Sequence, residues 1–173
     1  MKELILGGAR SGKSRLAEER ARECGLKVTY IATATAGDEE MRVRISEHKR
    51  RRPPEWTSIE EPLALAAVLR ANARADRCLI VDCLTLWLTN LLMTENKQQF
   101  QHERAALLDA LPQLPGRIIL VSNETGLGVV PLGELSRRYG DEAGWLHQEI
   151  AQCCDRVTLT VAGLPLLLKG NKT

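Results

Sequence analysis

The chain has 173 residues, a net charge of +2, 44% hydrophobic residues and only 3% aromatic residues. This length and composition predict a single globular domain, residues 1–173, that is large enough to bury a sizeable core. The balanced charge does not indicate a general affinity for nucleic acid or anionic membranes, although a local patch remains possible. The scarce aromatic side chains argue against binding of single strands by base stacking.

The cysteines are five in number and show no C-x-x-C spacing. An odd count without that spacing favours reduced thiols over a disulfide framework or a zinc site, as in the cytoplasm. No apolar run approaches the roughly 20 residues that cross a bilayer, and the apolar stretch in MKELILGG is too short for a signal peptide. We therefore expect a cytoplasmic protein without stable membrane insertion.

Short β-rich runs alternate with longer helical patterns along the chain. We expect strands at 3–7, 27–33, 56–61, 78–83, 117–124, 156–163 and, at an edge, 164–169. We expect helices at 13–24, 37–52, 62–75 with Pro62 in the first turn, 84–93, 98–111, 131–139 and 141–154. Strands that alternate with helices predict an α/β fold with a mostly parallel sheet covered by helices on both faces.

The segment GGARSGKS follows the first expected strand and matches the phosphate-binding pattern G-x-x-x-x-G-K-[ST]. In such a loop, backbone N–H groups and a helix N-terminus surround phosphate oxygens. Lys13 would reach the β- and γ-phosphates, and the Ser14 hydroxyl would ligate Mg²⁺. A glycine-rich turn with an incidental lysine is disfavoured by the flanking strand and helix. The expected site comprises Gly7, Gly8, Ala9, Arg10, Ser11, Gly12, Lys13 and Ser14.

Polar residues end two of the buried strands. Asp82 follows CLIV, where P-loop proteins place the acid that organises Mg²⁺, although a cap on the next helix is the alternative. Asn123 and Glu124 end a second strand at the same carboxyl edge, where ligands of open α/β sheets bind. Helix capping or a turn explains these two residues equally well.

The segment RISEHKRRRPPEW places His48 beside a basic run. In a helix over 38–52, Met41, Ile45 and His48 share one face, with Arg44 and Arg52 one turn away from the histidine. A hydrogen-bonded structural histidine at a solvated helix end is the plain alternative. Beside a P-loop, the arginines would instead bind phosphate. They would also lower the pKa of His48 and keep its imidazole neutral and nucleophilic.

Taken together, these segments resemble one known family along nearly the whole chain. The family is that of the bifunctional adenosylcobinamide kinase / adenosylcobinamide-phosphate guanylyltransferases of cobalamin synthesis. The P-loop alone is unspecific, but the R-I-x-x-H-[KR]-x-x-R-P-x-x-W and N-E-x-G-x-G-x-V-P patterns are specific. The segments that carry the resemblance are GGARSGKS (7–14), YIATA (30–34), RISEHKRRRPPEW (44–56), DCLTLW (82–87) and VSNETGLGVVP (121–131).

The resemblance implies two reactions. ATP or GTP phosphorylates the aminopropanol hydroxyl of adenosylcobinamide, and GTP then gives GMP to that phosphate with release of pyrophosphate. A RecA-like P-loop fold and a homotrimer are also implied, and the covalent guanylyl carrier falls on His48. Besides the P-loop, the implied nucleotide contacts are Thr33, Ala34, Thr35, Lys49, Arg50, Arg51, Arg52, Glu60 and Asp82, with Ser14 and Asp82 holding Mg²⁺.

Two other functions fit parts of the sequence. A P-loop kinase for another small molecule would leave His48 structural. An RNA-binding module would use the basic run, although the near-neutral charge and few aromatic residues weigh against it. No base for the acceptor hydroxyl is evident from the sequence, with Glu60 and Glu124 as candidates.

Overall fold

The computed structural model describes residues 1–35, 37 and 39–171, except for the side chains of Glu40, Met41, Arg44, His48 and Arg51. Its strands are β1 (Lys2–Gly7), β2 (Lys27–Ala32), β3 (Thr57–Glu60), β4 (Arg77–Asp82), β5 (Arg117–Asn123), β6 (Arg156–Val161) and β7 (Leu164–Lys169). Its helices are α1 (Lys13–Glu23), α2 (Glu39–Arg51), α3 (Leu65–Asn72), α4 (Leu84–Met93), α5 (Lys97–Gln113) and α6 (Glu134–Cys153).

The strands form one 7-stranded sheet in the order β3-β2-β4-β5-β1-β6-β7. Every neighbouring pair is parallel except β6 and β7, which pair antiparallel at one edge. The α/β fold with a mostly parallel sheet is thus confirmed. Because the strands run in parallel, the carboxyl ends of β1, β2, β4 and β5 meet at one edge of the sheet.

Alternate side chains of the strands pack into two separate cores. On one face, Leu4 and Leu6 of β1 pack with apolar residues of α3, α4, α5 and α6. On the other face, Ile5 packs with Ala17 and Ala21 of α1. The central strands β1, β2, β4 and β5 therefore bury both of their faces, which explains their continuous apolar runs, whereas the edge strands β3 and β7 are largely exposed.

The predicted bounds of the helix at 62–75 are wrong at both ends. The Glu61 carboxylate accepts N–H bonds from Leu63 and Ala64 at 2.8 and 2.7 Å, and the helix begins only at Leu65. Pro62 is therefore not in its first turn. The helix ends at Asn72 because Ala73 is extended, with φ −67° and ψ 125°.

The two expected helices at 131–139 and 141–154 are one helix, α6. Its buried residues Ala143, Leu146, His147 and Ile150 recur at helical spacing and pack on the sheet. A glycine inside a helix costs only about 1 kcal/mol, so this apolar face outweighs Gly140. None of the helices that the structure describes has the length and apolar character needed to cross a membrane.

Candidate active site

The segment 7–14 forms the turn between β1 and α1, as the motif predicts. A Cβ at Gly7 would lie 2.4 Å from Ser11 Oγ and 2.6 Å from Thr160 O, so a side chain has no room there. Gly12 adopts φ 94°, in the left-handed region that favours glycine. These two positions therefore require glycine for the turn to close against the start of α1.

The turn between β6 and β7 braces this loop, and sequence reasoning missed it. The Gly163 N–H donates to Ser11 O at 2.9 Å, and a Cβ on Gly12 would lie 3.2 Å from Gly163 Cα. Ala162 and Gly163 have φ values of 52° and 80° and reverse the chain in two residues. The Ala-Gly pair between two strand-like runs was the available sequence indication of this hairpin.

Lys13 lies over the P-loop and within electrostatic range of Asp82. Its Nζ donates to Gly8 O at 3.0 Å. Burial lowers the pKa of the Lys13 ammonium, and the negative charge of Asp82 opposes that change. A half-buried cation of this kind is the group that the β- and γ-phosphates of a nucleotide would neutralise.

Asp82 ends β4 and accepts a hydrogen bond from Tyr30 of β2. The Tyr30 hydroxyl donates to Asp82 Oδ2 at 2.6 Å. The N-cap of α4 is Cys83, which makes no side-chain capping bond, so the described contacts give Asp82 no capping role. Burial and the adjacent carboxylate raise the pKa of Tyr30 well above its usual value, so its hydroxyl remains a donor at neutral pH.

The C-terminal end of α2 is attached to this pair through Arg52. Its guanidinium carbon lies 3.6 Å from the centroid of the Tyr30 ring, and its Nη1 donates to Ser58 Oγ at 3.4 Å. A guanidinium over an aromatic face contributes about 0.5–2 kcal/mol. The segment with the basic run is therefore linked through Arg52 and Tyr30 to Asp82 at the edge of the P-loop site.

Thr33 and Thr35 lie at the end of β2, held by a residue that sequence reasoning missed. The Thr33 hydroxyl accepts the Cys83 N–H at 2.9 Å and donates to Cys83 O at 2.7 Å. Asn90 of α4 donates to Thr33 O at 2.8 Å, and Thr35 Oγ1 donates to Asn90 Oδ1 at 3.3 Å. An asparagine within the apolar run LTLWLTNLLM was the sequence indication of this role. Ala34 lies between the two threonines, half-buried.

Lys49 and Glu60 contact each other, but far from the P-loop. Lys49 Nζ forms an ion pair with Glu60 Oε1 at the end of β3. β3 lies four strand spacings from β1 in the sheet order, a distance of about 19 Å. Arg50 is exposed on α2, and the side chains of His48 and Arg51 lie outside the described residues. The structure thus brings together the P-loop, Asp82 and Arg52, but not Lys49 or Glu60.

Asn123 and Glu124 lie between the P-loop and Asp82, because β5 pairs with both β1 and β4. The Glu124 N–H donates to Gly7 O at 3.0 Å, and the Asn123 N–H donates to Thr85 Oγ1 at 2.7 Å. Glu124 Oε1 also accepts the Gly126 N–H at 2.5 Å, so a turn does form here. The segment therefore combines a local turn with a position directly beside the P-loop.

Oxygen ligands at this edge fit a magnesium ion. Ser14 supplies a hydroxyl at the start of α1, and Asp82 supplies a carboxylate. Within the described part of the chain, no three His, Cys, Asp or Glu residues form a metal-binding group. Mg²⁺ retains several waters and takes only one or two protein ligands beside substrate phosphates, so two oxygen donors suit it.

Cys83 is the thiol nearest to this site. Burial raises the pKa of Cys83 to about 11, so the thiol is protonated at neutral pH. A thiol without its thiolate form is a poor nucleophile. Cys83 therefore does not compete with a histidine as a covalent carrier.

Comparison with known proteins identifies the family to which the chain is similar. Residues 3–168 match the family described as cobinamide kinase / cobinamide phosphate guanyltransferase. The chain is 72% identical over 171 residues to the bifunctional adenosylcobalamin biosynthesis protein CobP of Pseudomonas aeruginosa, covering 99% of each chain. It is 36% identical to the CobU protein of Salmonella typhimurium, covering 96% of this chain and 98% of that one.

Among solved structures, the RadB recombinase superposes with a TM-score of 0.52 at 16% identity, covering 91% of this chain and 73% of that one. At this identity the likeness concerns the fold alone, which is that of the RecA-like P-loop proteins. The family match over residues 3–168 and the alignments with the two relatives each cover nearly the whole chain. The chain therefore belongs to the cobinamide kinase / cobinamide phosphate guanyltransferase family and is an enzyme with both of these activities.

Proposed function

We propose that one P-loop domain spanning residues 1–173 carries both reactions in turn. It phosphorylates adenosylcobinamide with ATP or GTP, and then transfers GMP from GTP to the phosphate through a guanylyl-histidine at His48. The observation that carries this proposal is the contact series from α2 to the P-loop site. Arg52 stacks on Tyr30, Tyr30 donates to Asp82, and Asp82 acts electrostatically on Lys13.

The P-loop holds the triphosphate in both reactions. The Lys13 ammonium and the N–H groups at the start of α1 face the phosphates. Ser14 and Asp82 would hold Mg²⁺, which neutralises charge on the phosphates when bound. The remaining P-loop residues, Gly7 to Gly12, supply the backbone of the cradle. Thr33, Ala34 and Thr35 bound the nucleotide on the β2 side.

GMP transfer proceeds in two displacements. A neutral His48 imidazole attacks the α-phosphorus of GTP, a P–N bond forms, and the bond to the β-phosphate oxygen breaks to release pyrophosphate. The corrinoid phosphate oxygen then attacks the same phosphorus, and the P–N bond breaks. Lys13 and Arg51 stabilise the negative charge of the leaving pyrophosphate.

The basic run serves this transfer from α2. Arg52 fixes the end of the helix on Tyr30, while Lys49, Arg50 and Arg51 provide further positive charge next to His48 in sequence. Lys49 is paired with Glu60. Nucleotide binding would therefore involve exchange of this ion pair for contacts with the ribose or the phosphates.

We further propose a cytoplasmic homotrimer that binds neither nucleic acid nor membranes. The free thiols at all five cysteine positions fit a reducing compartment. Exposed apolar residues of the β6–β7 hairpin, such as Leu164 at 72% exposure, supply a surface for a second copy. A subunit mass measured by light scattering tests the trimer, since a monomeric mass at working concentration would exclude it.

Intact-mass spectrometry tests the covalent step. The protein is incubated with GTP and Mg²⁺, and we expect a mass increase equal to one GMP that is lost in acid, as phosphoramidates are. The His48→Ala variant should bind GTP but gain no mass, while His102→Ala, an exposed position on α5, should be labelled like the wild type. Nucleotide binding without an adduct in the wild type would leave a plain kinase with a structural His48.

A further inference from the structure

We propose that Glu124 is the carboxylate that receives the proton of the acceptor hydroxyl in the kinase step, positioned by a buried Thr85–Ser122–His147 chain. The proposal rests on the P-loop assignment made above. Two carboxylates were candidates from the sequence, Glu60 and Glu124, and their positions in the sheet differ.

Glu60 is placed at the wrong end of the sheet edge. It ends β3, four strand spacings or about 19 Å from the P-loop strand. Its carboxylate is already paired with Lys49. A general base must lie within hydrogen-bond reach of the proton that it abstracts. Glu60 does not meet that condition for a phosphate held by Lys13.

Glu124 and the Lys13 ammonium bind successive carbonyl groups. The Glu124 N–H donates to Gly7 O at 3.0 Å, and Lys13 Nζ donates to Gly8 O at 3.0 Å. Consecutive Cα atoms are about 3.8 Å apart, so the backbone of Glu124 lies close to the Lys13 ammonium. The γ-phosphate bound by Lys13 would therefore lie next to Glu124.

A cavity adjoins Thr125, the residue that follows Glu124. Its volume is about 330 Å³, and it is lined by Thr125, by Tyr139 and largely by apolar side chains such as Leu92, Met93 and Leu135. A cavity of that volume is at the lower end for small-molecule sites. It suits a hydroxyalkyl arm of the substrate, with its hydroxyl directed toward Glu124, and excludes a whole macrocycle.

A chain of buried hydrogen bonds holds the end of β5 in place. The Asn123 N–H donates to Thr85 Oγ1 at 2.7 Å, Thr85 Oγ1 lies 3.4 Å from Ser122 Oγ, and Ser122 Oγ lies 2.8 Å from His147 Nε2. The Asn123 N–H can only donate. The hydroxyls of Thr85 and Ser122 can each donate one hydrogen bond and accept two, so both can satisfy their partners in the chain. These bonds fix the backbone from which Glu124 projects.

The chemical step balances with this assignment. The acceptor oxygen forms a bond to the γ-phosphorus, and the bond from that phosphorus to the β-phosphate oxygen breaks, leaving a nucleoside diphosphate. The hydroxyl proton passes to a Glu124 carboxylate oxygen and afterwards to water. Because the transition state of phosphoryl transfer is loose, this proton transfer contributes toward the lower end of general-base effects, about 100-fold.

The two activities of the enzyme allow a test with an internal control. The second acceptor is a phosphate and has no hydroxyl proton to remove. Glu124→Gln should lower kcat of the kinase step about 100-fold with KM for ATP nearly unchanged. Transfer of GMP to the preformed corrinoid phosphate should fall far less, by at most about threefold. Glu134→Gln, an exposed glutamate at the start of α6, is the matched control.

Positioning by the buried chain is tested with a pair of variants at Thr85. Thr85→Val removes the acceptor of the Asn123 N–H and should lower kcat of the kinase step about tenfold, whereas Thr85→Ser should keep the wild-type value. A kinase rate that Glu124→Gln leaves within threefold of wild type would overturn the proposal. Equal losses in both reactions would also overturn it. Lys13→Met tests the P-loop assignment separately: if this variant loses nucleotide binding, the P-loop assignment holds even where the Glu124 proposal fails.

Discussion

The Tyr30 hydroxyl donates a 2.6 Å hydrogen bond to Asp82, across neighbouring strands of the sheet. Tyr30 is 1% exposed, so the donor of this partly buried bond is held in place and fixes one carboxylate oxygen. The same ring supports Arg52 at the end of α2. One buried tyrosine thus sets both the proposed magnesium ligand and the end of the helix that carries His48.

Removal of the Tyr30 hydroxyl is expected to weaken magnesium binding. Tyr30→Phe keeps the ring under Arg52 but leaves Asp82 without this hydrogen-bond donor. Loss of a partner that orients a metal ligand typically lowers the affinity for the metal 10- to 100-fold. We expect the Mg²⁺ concentration for half-maximal kinase activity to rise about tenfold. A Mg²⁺ titration of the rate checks this, and an unchanged midpoint would show that Tyr30 does not orient a metal ligand.

Loss of the Arg52 guanidinium is expected to impair guanylylation. Arg52→Ala removes the stacked group and should cost about 1 kcal/mol of stability and slow formation of the GMP adduct at least fivefold. Arg52→Lys keeps the charge but loses the planar stack and should be intermediate. Arg42→Ala, an exposed arginine on the same helix, is the control. Equal rates for the two alanine variants would argue against an anchor at Arg52.

Lys13→Met is expected to abolish nucleotide binding without destabilising the nucleotide-free protein. Burial lowers the pKa of Lys13, which means that folding disfavours its charged form. Removal of the charge should therefore leave the nucleotide-free protein as stable or raise its Tm by roughly 1–3 °C, while nucleotide affinity is lost. Calorimetric unfolding and nucleotide titration measure the two effects, with exposed Lys27→Met as the control. A large fall in Tm would show that Lys13 is primarily structural.

His147 is expected to make stability depend on pH. Burial lowers its pKa below the usual value of 6.5, and the charge of Glu124 opposes this only in part. Below pH 6.5 the unfolded chain therefore binds a proton that the folded chain refuses, so stability falls as pH drops through that value. The slope is at most about 1.4 kcal/mol per pH unit.

His147→Gln should flatten that slope between about pH 7 and pH 5. Glutamine preserves a partner for Ser122 but does not titrate. Chemical denaturation at several pH values measures the free energy of unfolding of both proteins. The titration of other groups cancels in the difference between the two free energies. Parallel pH curves for wild type and variant would contradict a neutral buried His147.

The sequence was sufficient for the parts of this site that rest on local patterns. GGARSGKS between a strand and a helix predicted the phosphate loop, and the apolar run before Asp82 placed that residue at the carboxyl edge. Both follow from periodicity and from the conformations that glycine permits. The strands and most helices followed from the same patterns, to within a few residues at their ends.

The partners of these residues depend on strand order, which local patterns do not determine. The separation of Glu60 from the P-loop and the closeness of Glu124 follow from β3 at the edge and β5 beside β1. The hydrogen bonds from Asn90 to Thr33 and from Gly163 to Ser11 likewise join segments that are distant in sequence. The division of 131–154 failed because tertiary packing of α6 outweighed the two glycines inside it, Gly140 and Gly144.

The most direct test of the central claim is whether guanylylated enzyme passes its GMP to the corrinoid. Enzyme labelled with GTP is freed of nucleotide and mixed with adenosylcobinamide phosphate in a rapid-quench apparatus. Transfer through His48 predicts that the label appears in adenosylcobinamide-GDP at least as fast as steady-state turnover. A label that stays on the protein, or leaves more slowly than turnover, would contradict the guanylyl-histidine as an intermediate.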